Sequence, residues 1–252
     1  MLILKTPEEI EIMAEGGRRL GEVLRALAKE VRPGVTTKHL DRLAYQLIHK
    51  AGAKPAFLNY RPAGAKKPYP YTLCASLNNI VVHGQPSEYV LKEGDIIKLD
   101  LGLRYGGLCT DAAVTVAVGK ISREAKKLMT VTKDALAAAI KEAKPGRTLG
   151  DIGHAVEMIV KENKFSIVEG LTGHGIGRAV HEDPTVFNFG RAGDGEELVE
   201  GMVLALEPMV AAGDGKIKQV RDESWATADG SLAAHFEHTV AITKSGPRVL
   251  TE

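Results

Sequence analysis

Cysteine, aromatic residues, long apolar runs and an excess of one charge are all scarce in this 252-residue sequence, and each scarcity excludes a class of function. Two cysteines, Cys74 and Cys109, cannot build a disulfide framework and lack the paired spacing of a structural zinc site. Aromatics at 5% offer no stacking platform for bases. Lys plus Arg number 33 against 32 Asp plus Glu, with the signs interspersed, so neither a dedicated nucleic-acid site nor an anionic-membrane surface is expected. No stretch is apolar enough to span a bilayer, and the charged first turns do not read as a secretory signal, so the expected location is cytoplasmic. With 44% hydrophobic residues there is ample material for a core.

What is present is a repeated grammar. Thr6 caps a helix with Pro7 at its first position and Glu9 three residues after the cap, followed by Ile10, Met13, Gly17, Leu20, Leu24, Leu27 and Val31 at steps of three and four. Pro33-Gly34 stops it, and Thr36 or Thr37 opens a second helix through Leu40, Leu43, Leu47 and Ile48. A second pair follows: Ser122 opens a helix through Leu136 and Ala139, Pro145-Gly146 breaks it, and Ile152, Val156, Ile159 and Val160 mark the next. Two further fragments recur in the same order, His83-Gly-Gln-Pro with His181-Glu-Asp-Pro, and the stretch ending at Asp100 with the stretch ending at Glu207. Two pseudo-symmetric halves, about 1–119 and 120–252, within one domain over 1–252, are expected. Strands are predicted over 72–82 with a turn at Asn78-Asn79, and over 96–101, 111–118, 203–210 and 236–243. The fold class is α+β: helix pairs covering a central, mainly antiparallel sheet.

Asp100, Asp111, Glu207 and Glu237 all lie in apolar strands. A buried, unpaired carboxylate costs several kcal/mol, so each needs a partner, either a buried Lys or Arg or a shared cation. Four of them in repeat-related places favour the cation. His174, in Gly173-His-Gly-Ile-Gly177, stands where glycines let the backbone turn around an imidazole, and His83 and His181 face one another across the pseudo-symmetry. His39, His49, His154 and His235 read as ordinary surface or core histidines. Oxygen-rich positions with a single imidazole suit two adjacent divalent ions and activated water.

At this point the chain resembles the type I methionine aminopeptidases. The resemblance rests on His83, Asp100 and Asp111, Gly-His174-Gly-Ile-Gly-Arg-x-x-His181-Glu-x-Pro, Gly-Met-Val-x-x-x-Glu207-Pro-Met, Trp225, and Asp-Gly-Ser-Leu-x-Ala-x-Phe-Glu237-His-Thr. It implies the pita-bread (creatinase/aminopeptidase) fold and removal of initiator methionine from nascent proteins. It also implies two divalent metal ions, cobalt, manganese, iron or zinc. Asp111, His174, Glu207 and Glu237 would hold one ion, and Asp100, Asp111 and Glu237 the other. Glu207 would serve as general base, while His83 and His181 would contact the peptide and stabilise the tetrahedral intermediate. Only thirty residues separate Glu207 from Glu237, and no zinc-binding extension precedes Thr6, both as in the short bacterial form. The expected partners are peptides and nascent chains with N-terminal Met; a monomer is expected.

The chain departs from the pattern in several places. Val180 replaces a usual Phe, Ala205 a usual Thr, His235 a usual Gln and Lys98 a usual Asn, and the segment from Phe57 to Cys74 is longer, carrying Pro62-Ala-Gly-Ala-Lys-Lys-Pro68. Phe57, Tyr60, Tyr69, Cys74, Val180 and Trp225 are the candidates for the methionine side-chain pocket, and Val180 is expected to loosen its grip. Lys66 and Lys67 could meet ribosomal RNA, against an ordinary solvated loop. Two rival readings stand beside this one: a proline-directed aminopeptidase or dipeptidase of the same fold, and a non-catalytic pita-bread binding protein.

Overall fold

The structure, a computed structural model, describes residues 2–61 and 66–252; the Pro62 to Ala65 part of the longer loop lies outside the described residues. Four helices form as the capping signals require. α1, Pro7–Glu30, starts on a complete capping box, Glu9 N–H donating to Thr6 Oγ1 at 3.2 Å and Thr6 N–H to Glu9 Oε2 at 2.9 Å. α2, Thr37–Lys50, is capped by Thr36; the Thr37 hydroxyl instead donates to Ser87 O and pins the following loop. α3, Arg123–Glu142, is capped by Ser122. α4, Leu149–Glu162, begins with a second capping box, Thr148 with Asp151.

Each helix pair covers its own apolar cluster. Leu20, Leu24 and Leu27 of α1 and Leu40, Ala44 and Ile48 of α2 pack on Ile97, Leu99 and Leu101. Leu128, Ala135 and Leu136 of α3 and Ile152 and Val156 of α4 pack on Leu204, Leu206, Val240 and Ile242. Gly17 on α1 lets the chain end close on that helix, since a Cβ there would overlap the Leu250 carbonyl.

Between the helix pairs runs a nine-stranded sheet, in which every described pairing is antiparallel. Its path is Lys54–Pro55, Ile96–Tyr105, Leu108–Ala117, Glu237–Thr243, Val203–Leu206, Gly173–Gly175 and Glu182–Val186, with Cys74–Leu77 on the second strand and Gly246–Val249 on the fourth. Two three-stranded sheets flank it. One joins Ser166–Ile167, Met209–Ala211 and Ala233–His235; the other joins Ile80–Val82, Trp225–Thr227 and Ile217–Gln219. This is the pita-bread arrangement.

Two expected strands are broken, each for a local reason. The 72–82 stretch turns at Asn78, whose φ is +47°, giving Cys74–Leu77 and Ile80–Val82. The 203–210 stretch divides at Glu207-Pro208, because proline has no N–H to continue the ladder. Val203–Leu206 stays in the large sheet and Met209–Ala211 enters a small one. Its neighbour divides at the same level, Ala233–His235 pairing with Met209–Ala211 and Glu237–Thr243 remaining in the large sheet. Among the described residues no helix is long and apolar enough to cross a membrane.

Candidate metal centre

Strand register places the acids. Asp100 stands opposite Ala113, and Ala113 opposite Glu237, so the two carboxylates share one row and one face with only a methyl between them. Asp111, opposite Gly102, is the diagonal neighbour of Asp100 on that face. His174 stands opposite Ala205 two strands away. Glu207 comes from the break where its strand leaves the large sheet. Ala113 and Ala205, opposite Asp100 and His174, put only methyl groups beside those side chains.

The groups meet. Ligand atoms of Asp111, His174 and Glu237 lie within 4.8 Å of one another, and His174 Nε2 is 3.5 Å from Glu207 Oε1. A second cluster, Glu207, His235 and Glu237, meets the same 4.8 Å limit and shares two acids with the first centre. His174 Nδ1 is 2.9 Å from Gly175 O, which accepts its proton and leaves the Nε2 lone pair turned towards the carboxylates, the tautomer a metal ligand needs. The glycines beside it act otherwise than expected. They form no turn but a short strand, and a Cβ at Gly173 or Gly175 would overlap the carbonyl of Ala205 or Asp183, so they admit close neighbouring backbone.

Electrostatically the cluster lacks only cations. Burial pushes Asp100, Glu207 and Glu237 well above the carboxylate range, with the neighbouring acids adding to it, and burial raises Asp111 to about 7. The fully buried lysine nearby is no counter-ion: Lys98 donates to Asn78 O at 2.7 Å and Ala233 O at 3.1 Å. The ionic contacts recorded for Glu207 and Glu237 are to imidazoles. Burial depresses those imidazoles, His174 to about 4 and His235 to about 3, so they are neutral and supply no countercharge. Asp111 Oδ1 and Glu237 Oε1 are buried without a hydrogen-bond partner. Oxygen and imidazole donors in this excess, with orphaned oxygens, fit divalent cations.

The centre lines a cleft of about 1710 Å³. His83 and His181 line it, with Phe57, Tyr60, Tyr69, Cys74 and Trp225. His83 holds φ at +59°, a conformation costly for a residue with a Cβ, which places its ring in the cleft, open to its solvent yet walled by protein. The His181 ring packs edge-on to His174 at 4.4 Å between centroids, and its Nδ1 is 2.8 Å from the Tyr60 hydroxyl. Tyr69 is a fixed wall, its hydroxyl donating to Leu73 O or Gly84 O. Gly102 makes room for Phe57, whose ring a Cβ would meet at 2.6 Å.

Two sequence expectations need correction. Val180 does not line the cleft: at 2% exposure it belongs to the apolar cluster that holds Phe57 and Cys74. His235, read as ordinary, is 1% exposed and beside Glu207. The signal was its place two residues before Glu237, hidden because the chain breaks between them at Phe236.

The chain matches the model of metallopeptidase family M24 over residues 11–244. It is 47% identical to the methionine aminopeptidase of Clostridium perfringens over 253 aligned residues, covering 100% of this chain and 99% of that one. The crystal structure of methionine aminopeptidase from Thermotoga maritima superposes with a TM-score of 0.95 at 42% identity, covering 100% of both chains. The prolidase from Pyrococcus furiosus superposes with a TM-score of 0.79 at 25% identity, and this chain covers 65% of it. With its acids and imidazoles gathered on one sheet face, and with likeness over its full length, the chain belongs to metallopeptidase family M24, among the methionine aminopeptidases.

Proposed function

We propose that this metallopeptidase removes N-terminal methionine from peptides and nascent chains, using two divalent ions held by Asp111, His174, Glu207 and Glu237 on one side and Asp100, Asp111 and Glu237 on the other. The observation that carries it is the convergence of Asp100, Asp111, Glu207, Glu237 and His174, with no ammonium between them, on the wall of one cleft. Ions bound there supply an acidified water and Lewis-acid polarisation of the scissile carbonyl.

The protein groups do the rest. Glu207, at the sheet break, takes the proton from the attacking water and returns it to the departing amine. His83 and His181, outside the carboxylate cluster but in the same cleft, donate to the peptide backbone and to the oxyanion as it develops. Phe57, Tyr60, Tyr69, Cys74 and Trp225 form the side-chain wall. The two helix pairs with separate apolar clusters support the reading of one domain built from related halves.

A peptide panel of Met-Ala-Ser, Met-Pro-Ala and Ala-Pro-Ala, run after chelation and readdition of manganese, cobalt or iron, tests the reading. Release of Met from Met-Ala-Ser alone is expected. Preferential cleavage of Ala-Pro-Ala would establish the proline-directed alternative, and no turnover with any metal the non-catalytic one. Lys66 and Lys67, both exposed, with Lys67 on the cleft rim, are proposed to contact ribosomal RNA. Ribosome co-sedimentation of the Lys66→Glu, Lys67→Glu double variant should weaken; unchanged, salt-sensitive binding would reject that contact.

A further inference from the structure

His235 is a buried imidazole for which the reaction as described has no use. Its ring nitrogens, Nδ1 and Nε2, are both enclosed and lack a hydrogen-bond partner. An idle buried polar ring costs more than an apolar side chain of the same size, so its position calls for a role. Its backbone is held on both sides: His235 N–H donates to Thr115 Oγ1 at 2.9 Å, and that hydroxyl donates back to His235 O at 2.7 Å. The Met209 to His235 strand pairing sets the ring beside Glu207. Nε2 lies 3.3 Å from Glu207 Oε2 and 3.9 Å from Glu237 Oε2.

The two oxygens of Glu207 therefore face different imidazoles, Oε1 towards His174 at 3.5 Å and Oε2 towards His235. The two rings are built differently. His174 gives its Nδ1 proton to Gly175 O, the arrangement of a metal-ligating histidine, whereas His235 Nδ1 has no acceptor. A ring without that support serves better as a hydrogen-bond donor through Nε2 than as a ligand.

We propose that His235 is a positioning residue: a small turn of the Glu207 carboxylate, already 3.3 Å away, lets Nε2–H donate to Glu207 Oε2 and leaves Oε1 as the oxygen turned towards the ion beside His174. Glu207 is thereby locked in one rotamer, with its two oxygens assigned to different work. This rests on the reading of Glu207 as ligand and base.

The test uses the full-length protein as wild type, His235→Gln, His235→Leu and His174→Gln. Imidazole nitrogen–proton correlation spectra of the metal-free wild type should show His235 protonated at Nε2; an Nδ1-protonated ring overturns the proposal without any variant having to fold. Calorimetric titration with Mn²⁺ should show affinity lowered by about 10- to 100-fold in His235→Leu and nearly restored in His235→Gln. Turnover should follow, with kcat falling and KM nearly unchanged in His235→Leu. Equal affinity in wild type and His235→Leu would sink the idea. In the Co²⁺-loaded protein, His174→Gln should change the visible absorption and His235→Gln should not; equal changes would make His235 a ligand and overturn the positioning role. If the wild type cleaved no peptide, the proposed function would fail while the tautomer and Mn²⁺ affinities still judged His235.

Discussion

At the scale of single residues, the centre divides into groups that hold charge and groups that only face it. Glu207→Gln keeps the volume and removes the base, so turnover should fall by about 10²- to 10⁴-fold with the melting temperature retained. Near-normal turnover would remove Glu207 from the chemistry. His83→Ala and His181→Ala should each lower turnover while metal content, read by elemental analysis, stays near that of wild type; an empty variant would make that histidine a ligand. Val180 now belongs with the core. Val180→Phe adds a ring to a site already filled by Phe57, Cys74 and Ile176, so it should cost about 1 to 3 kcal/mol in chemical denaturation. Its effect on the Met-to-Leu ratio of kcat/KM should come only through displacement of Phe57. An unchanged denaturation midpoint would show that space remains behind the wall.

At the scale of elements, the site depends on where strands stop. Two neighbouring strands leave the large sheet at the same level, at Glu207-Pro208 and at Phe236, and the gap carries Glu207 and Glu237. Thr239 seals the adjacent ladder: its hydroxyl accepts from Asp111 N–H at 2.9 Å and donates to Asp111 O at 2.7 Å. The small residues in the ligand rows are as necessary as the ligands. Gly102→Ala drives a methyl into the Phe57 ring, so KM for Met peptides should rise more than kcat falls, together with a modest loss of stability. A steady-state comparison with wild type decides this, and identical KM values would mean that Phe57 does not touch the substrate side chain. The helix pairs are independent of this geometry, and Thr6→Ala should cost about 1 kcal/mol of stability without altering metal affinity.

At the scale of the whole molecule, the folded chain gathers like charges that the unfolded chain keeps apart. Each of the four acids has a raised pKa in the folded state, so between its ordinary and raised values the folded protein binds more protons than the unfolded one. The contribution of these acids to the stability of the metal-free protein should therefore fall as pH rises from the ordinary carboxylate range through about 7, where Asp111 ionises, while the depressed imidazoles of His174, His181 and His235 act in the opposite sense below the ordinary imidazole value. Divalent ions replace those protons. Melting curves with chelator and with saturating Mn²⁺ should accordingly diverge as pH increases. Parallel curves would mean that the acids find another countercharge.

The sequence by itself determined the helices, their caps and their pairing, because capping boxes and apolar spacing act within a few residues: Thr6 with Glu9 and Thr148 with Asp151 are complete as local motifs. It also determined which acids had to meet, since Asp100, Asp111, Glu207 and Glu237 in apolar strands could not remain unpartnered. Tertiary structure alone decided how they meet. Asp100 and Ala113 face one another across a local hairpin, but the step from Ala113 to Glu237 is a matter of register between strands more than a hundred residues apart, and no local pattern states it. The same holds for Val180 and His235. Each side chain is chosen locally, but whether it faces the cleft or the core depends on strand breaks and on backbone that arrives from elsewhere in the chain, and only the closed sheet brings that backbone into place.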